Sequence, residues 1–386
     1  MDRDGRQEGW ALLFRVLLVF LALYLFLVGI GTMSTAFKTM GKTFSEGLLA
    51  TQAGPIVSLF IGILATTLMQ SSSTTTSLVV GLVAAGAIEF HSAVYMVMGA
   101  NVGTTVTNTI VSLGHITRSA EYKRAFAAAT VHDFFNLIVL LVLFPLEVFT
   151  GVLDKAAHVC SDAFQGVGGT KLANPIKAIT KPLVNELKEF AIAVAPAGSD
   201  TAAGWILLFL AFALTFGGLI TLVKMLRKIM VTRLENLFDR VLFKSAPRAL
   251  FFGLVLTILM QSSSITTSVA VPLVGAGVLN IRQVFPYTMG ANIGTTMTAL
   301  LASLAALAGA GPEGRETALL GLALAFHHVL FNALGVALVY PIREVPVRIA
   351  EAFAGLALWN RAIPLVYIIG TFYLLPFLVV WLGRPS

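Results

Sequence analysis

The polar and apolar positions of this chain form a pattern that is stated twice. Long apolar runs cover residues 10–31, 92–114, 125–146, 204–223, 283–308, 317–340 and 363–382. Each is close to the about 20 residues that a helix needs to cross a bilayer. Between them lie two shorter apolar pieces, each interrupted by a block of hydroxyls and amides. The first block is Gln70-Ser71-Ser72-Ser73-Thr74-Thr75-Thr76-Ser77, and the second is Gln261-Ser262-Ser263-Ser264-Ile265-Thr266-Thr267-Ser268. Seven of the eight positions are identical, which rules out a chance polar patch. The segment ahead of the first block, Pro55–Met69, makes a helix of only about 22 Å, short of a hydrocarbon core of about 30 Å. Two short helices joined by a polar turn predict a re-entrant hairpin with the block at its tip. The same holds for Ala249–Met260 and Ile265–Leu279.

The repetition runs well beyond the tips. Met98-Gly99-Ala100-Asn101-Val102-Gly103-Thr104-Thr105 returns as Met289-Gly290-Ala291-Asn292-Ile293-Gly294-Thr295-Thr296, an offset of 191 that Thr107 and Thr298 share. His132, Phe135, Asn136 and Pro145 return as His328, Phe331, Asn332 and Pro341 at an offset of 196. A five-residue insertion near 309–316, of loop composition, absorbs the difference. The chain therefore divides into a first copy at 10–150 with its hairpin at 55–88 and a linker at 151–203. A second copy follows at 204–345 with its hairpin at 249–279, and then a C-terminal amphipathic segment and helix at 346–386.

Basic residues set the orientation. The segment 224–248 carries Lys224, Arg227, Lys228, Arg233, Arg240, Lys244 and Arg248, which places it in the cytoplasm. Arg3, Arg6 and Arg15 put the N-terminus on the same side, as do Arg118, Lys123 and Arg124 for the loop near 115–124. Three crossings per copy then turn the second copy upside down relative to the first. The fold class expected is an all-α polytopic membrane protein of two inverted repeats, each with three transmembrane helices and one re-entrant helical hairpin, plus a C-terminal helix. Inverted repeats with interrupted helices at the midplane are the build of secondary transporters. The linker falls outside, and the five lysines, absent arginines and six acidic residues of 147–203 allow that.

Composition agrees with a multi-pass membrane protein. Charged residues make up 12% of the 386 and hydrophobic ones 57%, with a mean hydropathy of +0.88, against about 25% charged in soluble domains. The net charge of +7 sits between apolar runs, which points to cytoplasmic loops in a lipid bilayer and not to nucleic acid. Cys160 is the only cysteine, so no intrachain disulfide forms. The first run, 10–31, is too long for the core of a signal peptide and reads as a membrane span.

Polar side chains at membrane depth mark a protected cavity or a ligand. A Ser/Thr/Gln block at the start of a short helix offers hydroxyls and unpaired backbone N–H groups, which favour an anion. Carbonyl and side-chain oxygens facing it suit a hard cation such as sodium. The glycines of the Gly-Ala-Asn-x-Gly-Thr-Thr strings predict an unwound helix there. Helix packing also uses Ser, Thr and Gly, but packing alone gives no reason for two matched pairs of polar strings. Asp133 is an acid inside a span, next to His132 and Asn136, and the second copy has Val329 in its place. It reads as a site present only once, or as a helix-start carboxylate at the interface. His327 and His328 lack a cluster of Cys, Asp or Glu around them and read as packing or hydrogen-bonding residues, with no transition metal. An enzyme reading would join a block serine to His132 and Asp133 as a hydrolase triad, but it leaves the second block without a role.

These strings, together with Arg124-Ala125-Phe126 and Thr130-Val131-His132-Asp133-Phe134-Phe135-Asn136, resemble the type II sodium–phosphate cotransporters. The resemblance covers about 12–382 and is weakest in the linker. It implies a symporter, not an enzyme, that imports inorganic phosphate with sodium as the coupling ion and needs no other cofactor. Phosphate would lie between the hairpin tips, at Ser71, Ser72, Ser73, Ser262, Ser263 and Ser264 with Asn101 and Asn292. Sodium would take oxygens from Gln70, Gln261, Thr104, Thr295, Thr298, Asp133 and Asn136. In that family the acid matching Asp133 marks electrogenic members. Where animal members carry a Gln and an Asp at a sodium site, this chain has His115 and Arg118, so its sodium count need not be theirs. Its shorter linker with a single cysteine and its small size look bacterial, which implies the cell inner membrane. Animal members continue through one more span after 363–382, so the C-terminus here is expected outside. A carrier of the same build with proton coupling or outward direction is the other reading that these residues allow.

Overall fold

The computed structural model describes residues 54–84, 88–164, 175–196, 199–230, 245–260, 262–309 and 315–383, with scattered helical positions between 10 and 39. Every regular element among them is helical. In chain order they are α1 Pro55–Met69, α2 Ser72–Ala84, α3 Phe90–Gly103, α4 Val106–Ser112, α5 Ser119–Thr150, α6 Val152–Ala163 and α7 Pro175–Val194. Then follow α8 Asp200–Met230, α9 Ala246–Met260, α10 Ser263–Gly275, α11 Ile281–Gly309, α12 Arg315–Val339, α13 Glu344–Trp359 and α14 Ala362–Leu382. Three of the described helices, α5, α12 and α14, are long and apolar enough to cross a membrane. The short arms α1, α2, α9 and α10, with 15 or 13 residues each, are not.

The duplication seen in the sequence is also a duplication of contacts. Helix α1 packs along α3, and α9 packs along α11. Both contacts are close because glycines let backbones touch, as small residues do between helices in lipid. A Cβ on Gly62 would run into the Met96 carbonyl, and one on Gly99 into that of Leu59. In the second copy Gly253 lies on the Tyr287 carbonyl and Gly290 on that of Leu250. The third pair repeats too. A Cβ at Gly103 would stand 2.6 Å from the Ile63 carbonyl oxygen, and one at Gly294 2.8 Å from that of Leu254. Every residue in these contacts has its counterpart at the same offset.

The second arm of each hairpin crosses to the other copy. Helix α2 packs on α11 and α12, whereas α10 packs on α4 and α5. Gly321 of α12 faces Ala84 and the Val80 carbonyl, and Gly275 of α10 faces Ala125. Small residues thus stand on opposite sides of the two equivalent crossings. Gly335 lies against Val139, its own counterpart in the first copy, so α5 and α12 meet at the point that relates the halves.

The expected break in the helix occurs in the first copy only. In the run 92–114 the α-helix ends at Gly103, resumes at Val106 and closes in a 3-10 turn at Leu113–His115. The matching string in the second copy is not unwound, since α11 runs unbroken from Ile281 to Gly309. Two glycines and an Asn permit a break but do not impose one. The linker begins as a packed helix. Ala157 of α6 is buried with Ala318, Leu322 and Phe326 of α12, and the Ser161 hydroxyl donates to the Leu319 carbonyl. Buried Glu147 starts that helix by accepting the backbone N–H groups of Leu153 and Asp154 at 2.8 and 3.1 Å. The expected insertion loop and Gln261 lie largely or wholly outside the described residues.

Backbone contact at the paired glycines gives a direct test. Gly99→Ala and Gly290→Ala should each destabilise the purified protein by about 1–3 kcal/mol, the usual range for overpacking. Gly81→Ala, where nothing lies within 4 Å of the added carbon, should not. Melting curves in detergent would decide, and equal stability of all three would refute the packing described.

Candidate functional site

The first hairpin tip is built on one strained residue. Gln70 ends α1 at φ 52° and is the only non-glycine residue with positive φ among those described. Such a conformation costs on the order of 1 kcal/mol and persists where neighbours hold it. Here its amide donates to the Thr67 carbonyl at 2.6 Å, and its Oε1 accepts the Thr107 hydroxyl at 2.7 Å. Ser71 then caps α2, its hydroxyl accepting the Thr74 backbone N–H at 3.2 Å. In the second hairpin Ser262 caps α10 in the same way, accepting from the Ile265 N–H. Short helices whose apolar arms are buried thus begin at polar residues.

Both hairpins touch the same turn of helix. Thr107 of α4 holds Gln70 of the first. Its neighbour Asn108 accepts, through Oδ1, the hydroxyls of Thr267 and Ser268 in the second at 3.0 and 2.9 Å. The Asn108 amide then faces His132 Nδ1 at 3.5 Å. This orientation leaves the proton of His132 on Nε2, which donates to Asn292 Oδ1 at 2.9 Å.

From there a buried network joins the copies. Asn292 Nδ2 donates to Asn136 Oδ1 at 3.0 Å and to Asn332 Oδ1 at 2.8 Å. Asn136 donates in turn to the Asn101 carbonyl at 3.0 Å, and Asn332 to that of His328. His328 Nε2 reaches Asn101 Oδ1 at 3.3 Å, the mirror of the His132–Asn292 bond. Each copy thus gives its His to the other's Asn. All six side chains are buried.

The structure sorts the expected site residues into four groups. Asn101, Asn136 and Asn292 have their amides engaged within the protein, as connectors between copies. Thr104 and Thr295 donate to carbonyls one turn back, at Ala100 and Ala291, which leaves their oxygens as acceptors only. The hydroxyls of Ser72, Ser73, Ser263 and Ser264 are buried or nearly so and take no part in the bonds above. Thr298 Oγ1 and Asp133 Oδ1 are buried without a hydrogen-bond partner. Asp133 Oδ2 accepts from Thr109 at 3.3 Å and from Tyr367 at 2.9 Å. Asn108, Thr109 and Tyr367 carried no signal in the sequence, because none belongs to a duplicated string.

A model of the Na+/Pi-cotransporter family matches residues 25–173 and again 214–366. The chain belongs to that family. It is 33% identical to sodium-dependent phosphate transport protein 2A of Ovis aries, across 99% of this chain and 69% of that protein. The form of 2A from Rattus norvegicus is likewise 33% identical, over 97% and 68%. Sodium-dependent phosphate transport protein 2B of Homo sapiens is 31% identical, over 96% and 65%. No solved structure matches the chain.

A Na+/Pi-cotransporter is a carrier and not an enzyme, and the geometry drops the hydrolase triad for its own reason. Both nitrogens of His132 face asparagine amides, not a serine of either block. His132 and His328 act as hydrogen-bonding residues, whereas buried His327 has no hydrogen-bond partner among the described residues and serves packing. A cavity of about 640 Å³ opens elsewhere, between Lys123, Arg124, Gly277 and Arg282. Its cations are largely spent: Arg124 holds the Gly275 carbonyl at 2.8 Å, and Arg282 is paired with Glu344 and Glu351.

Removing Asn292 leaves His132, Asn136 and Asn332 short of a partner, each worth about 1–3 kcal/mol when stranded in a buried site. Asn292→Ala and His132→Ala should therefore be strongly non-additive, with a coupling energy of about 0.5–3 kcal/mol in a double-mutant cycle. Additive losses in thermal unfolding would show that the exchanged bond does not join the copies.

Proposed function

We propose that this chain is a symporter that imports inorganic phosphate together with sodium, by alternating access between its two copies. One observation carries the reading: both polar hairpin tips engage adjacent residues, Thr107 and Asn108, of a single broken helix. A solute there is bounded by hydroxyls of both copies and by the N-termini of two short helices, a setting that favours an anion. Phosphate donors in this reading are Ser71, Ser72 and Ser73 with Ser262, Ser263 and Ser264, in front of Asn101 and Asn292. Oxygens for sodium come from Gln70, Gln261, Thr104, Thr295, Thr298, Asn136 and Asp133. The names of the mammalian relatives, sodium-dependent phosphate transport proteins, support this choice of solute and ion. Asp133 adds a cation-binding carboxylate that the second copy lacks, so uptake is expected to carry net positive charge inward.

The self-equivalent contact of Gly335 with Val139 supports a two-fold relation between the copies. An axis in the membrane plane inverts one relative to the other, with both hairpins re-entrant from opposite faces. The basic segment 224–248 then lies in the cytoplasm of a cell whose inner membrane holds the chain, along with the N-terminus. The approach to the first hairpin and the C-terminus lie outside.

Phosphate uptake into proteoliposomes tests the reading. A sodium gradient should drive uptake that a proton gradient alone does not, and Ser263→Trp should abolish it in protein that still inserts. Uptake indifferent to sodium would replace this reading with a proton-coupled or outward carrier. A working Ser263→Trp protein would move phosphate away from the tips.

Topology has its own test, because Gly54 and Ser245 are equivalent positions at the outer ends of α1 and α9. In a Cys160→Ala background, Gly54→Cys should react with an impermeant thiol reagent on intact cells. Ser245→Cys should react only after the membrane is opened. Labelling of both from one side would contradict the inversion.

A further inference from the structure

By its pattern the C-terminal helix is an addition to the repeats, without a part in the site. Yet it supplies the shortest hydrogen bond to Asp133. Asp133 is 1% exposed. Its Oδ2 accepts the Tyr367 hydroxyl at 2.9 Å and, at longer range, that of Thr109, while Oδ1 has no partner. The Thr105 hydroxyl also lies beside the carboxylate, but its proton goes to the Val102 carbonyl at 2.9 Å. A buried carboxylate with one oxygen held and the other bare keeps an acceptor free in a dry interior, which suits a hard cation. The counterpart position is Val329, so the duplication offers no scaffold reason for the acid.

Tyr367 is held in place from two directions. Its ring meets Phe353 of α13 edge-on at 5.0 Å and Phe372 of its own helix at 5.6 Å. Phe353 is wedged in turn against Phe126 and Phe134 of α5, the helix that carries Asp133. Just beyond Tyr367 the helix widens into a π segment, Ile369–Leu374, a feature that often marks functional positions. That segment and the turns after it pack on α1, where Gly383 touches Val57. One helix therefore contacts both the outer arm of the first hairpin and the carboxylate.

We propose that Tyr367 is a positioning residue of the sodium site: its hydroxyl fixes Oδ2 of Asp133 and leaves Oδ1 as the ligand atom for the coupling ion. The inference rests on the reading of Asp133 as a sodium ligand. Hydrogen-bond partners of ligating carboxylates set their orientation, and their loss weakens ion binding. Because α14 also lies on α1, movement of the first hairpin would reach the ion through this bond.

The test compares sodium activation of phosphate uptake in proteoliposomes for the wild type, Tyr367→Phe, Thr109→Val and Asp133→Asn. Tyr367→Phe keeps the ring and removes one oxygen. It should raise the sodium concentration for half-maximal uptake by about tenfold, with phosphate half-saturation at high sodium within about twofold. Sodium added without phosphate should also raise its melting temperature less than that of the wild type. Thr109→Val should shift sodium activation in the same direction by less. If Asp133→Asn moves sodium activation but neither Tyr367→Phe nor Thr109→Val does, the positioning role is refuted and the Asp133 site stands. If Asp133→Asn leaves sodium dependence unchanged, the site itself is wrong and this inference falls with it. Equal losses of sodium and phosphate affinity in Tyr367→Phe would mark a purely structural residue and overturn the proposal.

Discussion

The arrangement depends on a single short stretch of helix, Val106–Ser112, in which consecutive residues face opposite partners. Thr107 holds the first hairpin through Gln70, and Asn108 holds the second through Thr267 and Ser268. Adjacent helical residues point about 100° apart, which follows from 3.6 residues per turn. A short helix lying between two hairpins can therefore address both without any long side chain. The α-helical hydrogen bonding is interrupted at Thr104–Thr105, although both residues keep helical dihedral angles, so the turn follows directly on α3.

The two copies are consequently alike in frame and unlike in chemistry. Close backbone contacts at Gly62, Gly99 and Gly103 recur at Gly253, Gly290 and Gly294, and the His–Asn exchange recurs in both directions. The broken turn, Asn108 and Asp133 occur once: their counterparts are an unbroken α11, Ala299 and Val329. A duplicated frame sets two hairpins on the same turn of helix, and a single-copy set of polar residues then makes the two sides of that junction differ. A carrier that must bind an oxyanion and a monovalent cation together needs such asymmetry, because a strictly symmetric cavity would present identical donors on both sides.

Much of this was legible in the chain. The arm Pro55–Met69 followed from its apolar length and the polar block after it, and the copies followed from polar strings repeated at offsets of 191 and then 196. Asp133 stood out because a carboxylate inside an apolar run has no use in packing against lipid-soluble helices. What could not be read were contacts between residues without a counterpart. Asn108 and Thr109 lie just past the repeated string, and Tyr367 lies far away in an unduplicated helix, so neither periodicity nor repetition marked them. The expected unwinding failed in α11 for a related reason. Glycine and Asn lower the penalty for a break, but the tertiary partners decide whether the helix takes it. Likewise, the linker's charge balance gave no hint that Ala157 packs against Ala318 and Leu322.

The kinds of contact differ within and between the copies, and that difference bears on how the halves could move. Inside each copy, helix backbones touch at glycines, where a shift of even one residue would drive a side chain into a carbonyl. Such surfaces resist sliding and make each pair, α1 with α3 and α9 with α11, a rigid unit. Between the copies the hairpin arms also pack small apolar residues, as at Gly321, Gly275 and Gly335, but they add hydroxyls and amides, together with the Arg124 guanidinium on the end of α10. Hydrogen bonds of this kind contribute about 1 kcal/mol each net, and their partners can be exchanged with water or with a bound solute at little loss. A rocking motion would therefore separate the copies along the shared surface and leave the glycine contacts within each copy whole. In the proposed carrier, the surface that would open carries Ser72, Ser73, Ser263 and Ser264, so the physics that would let the halves part would also leave their hydroxyls to an anion.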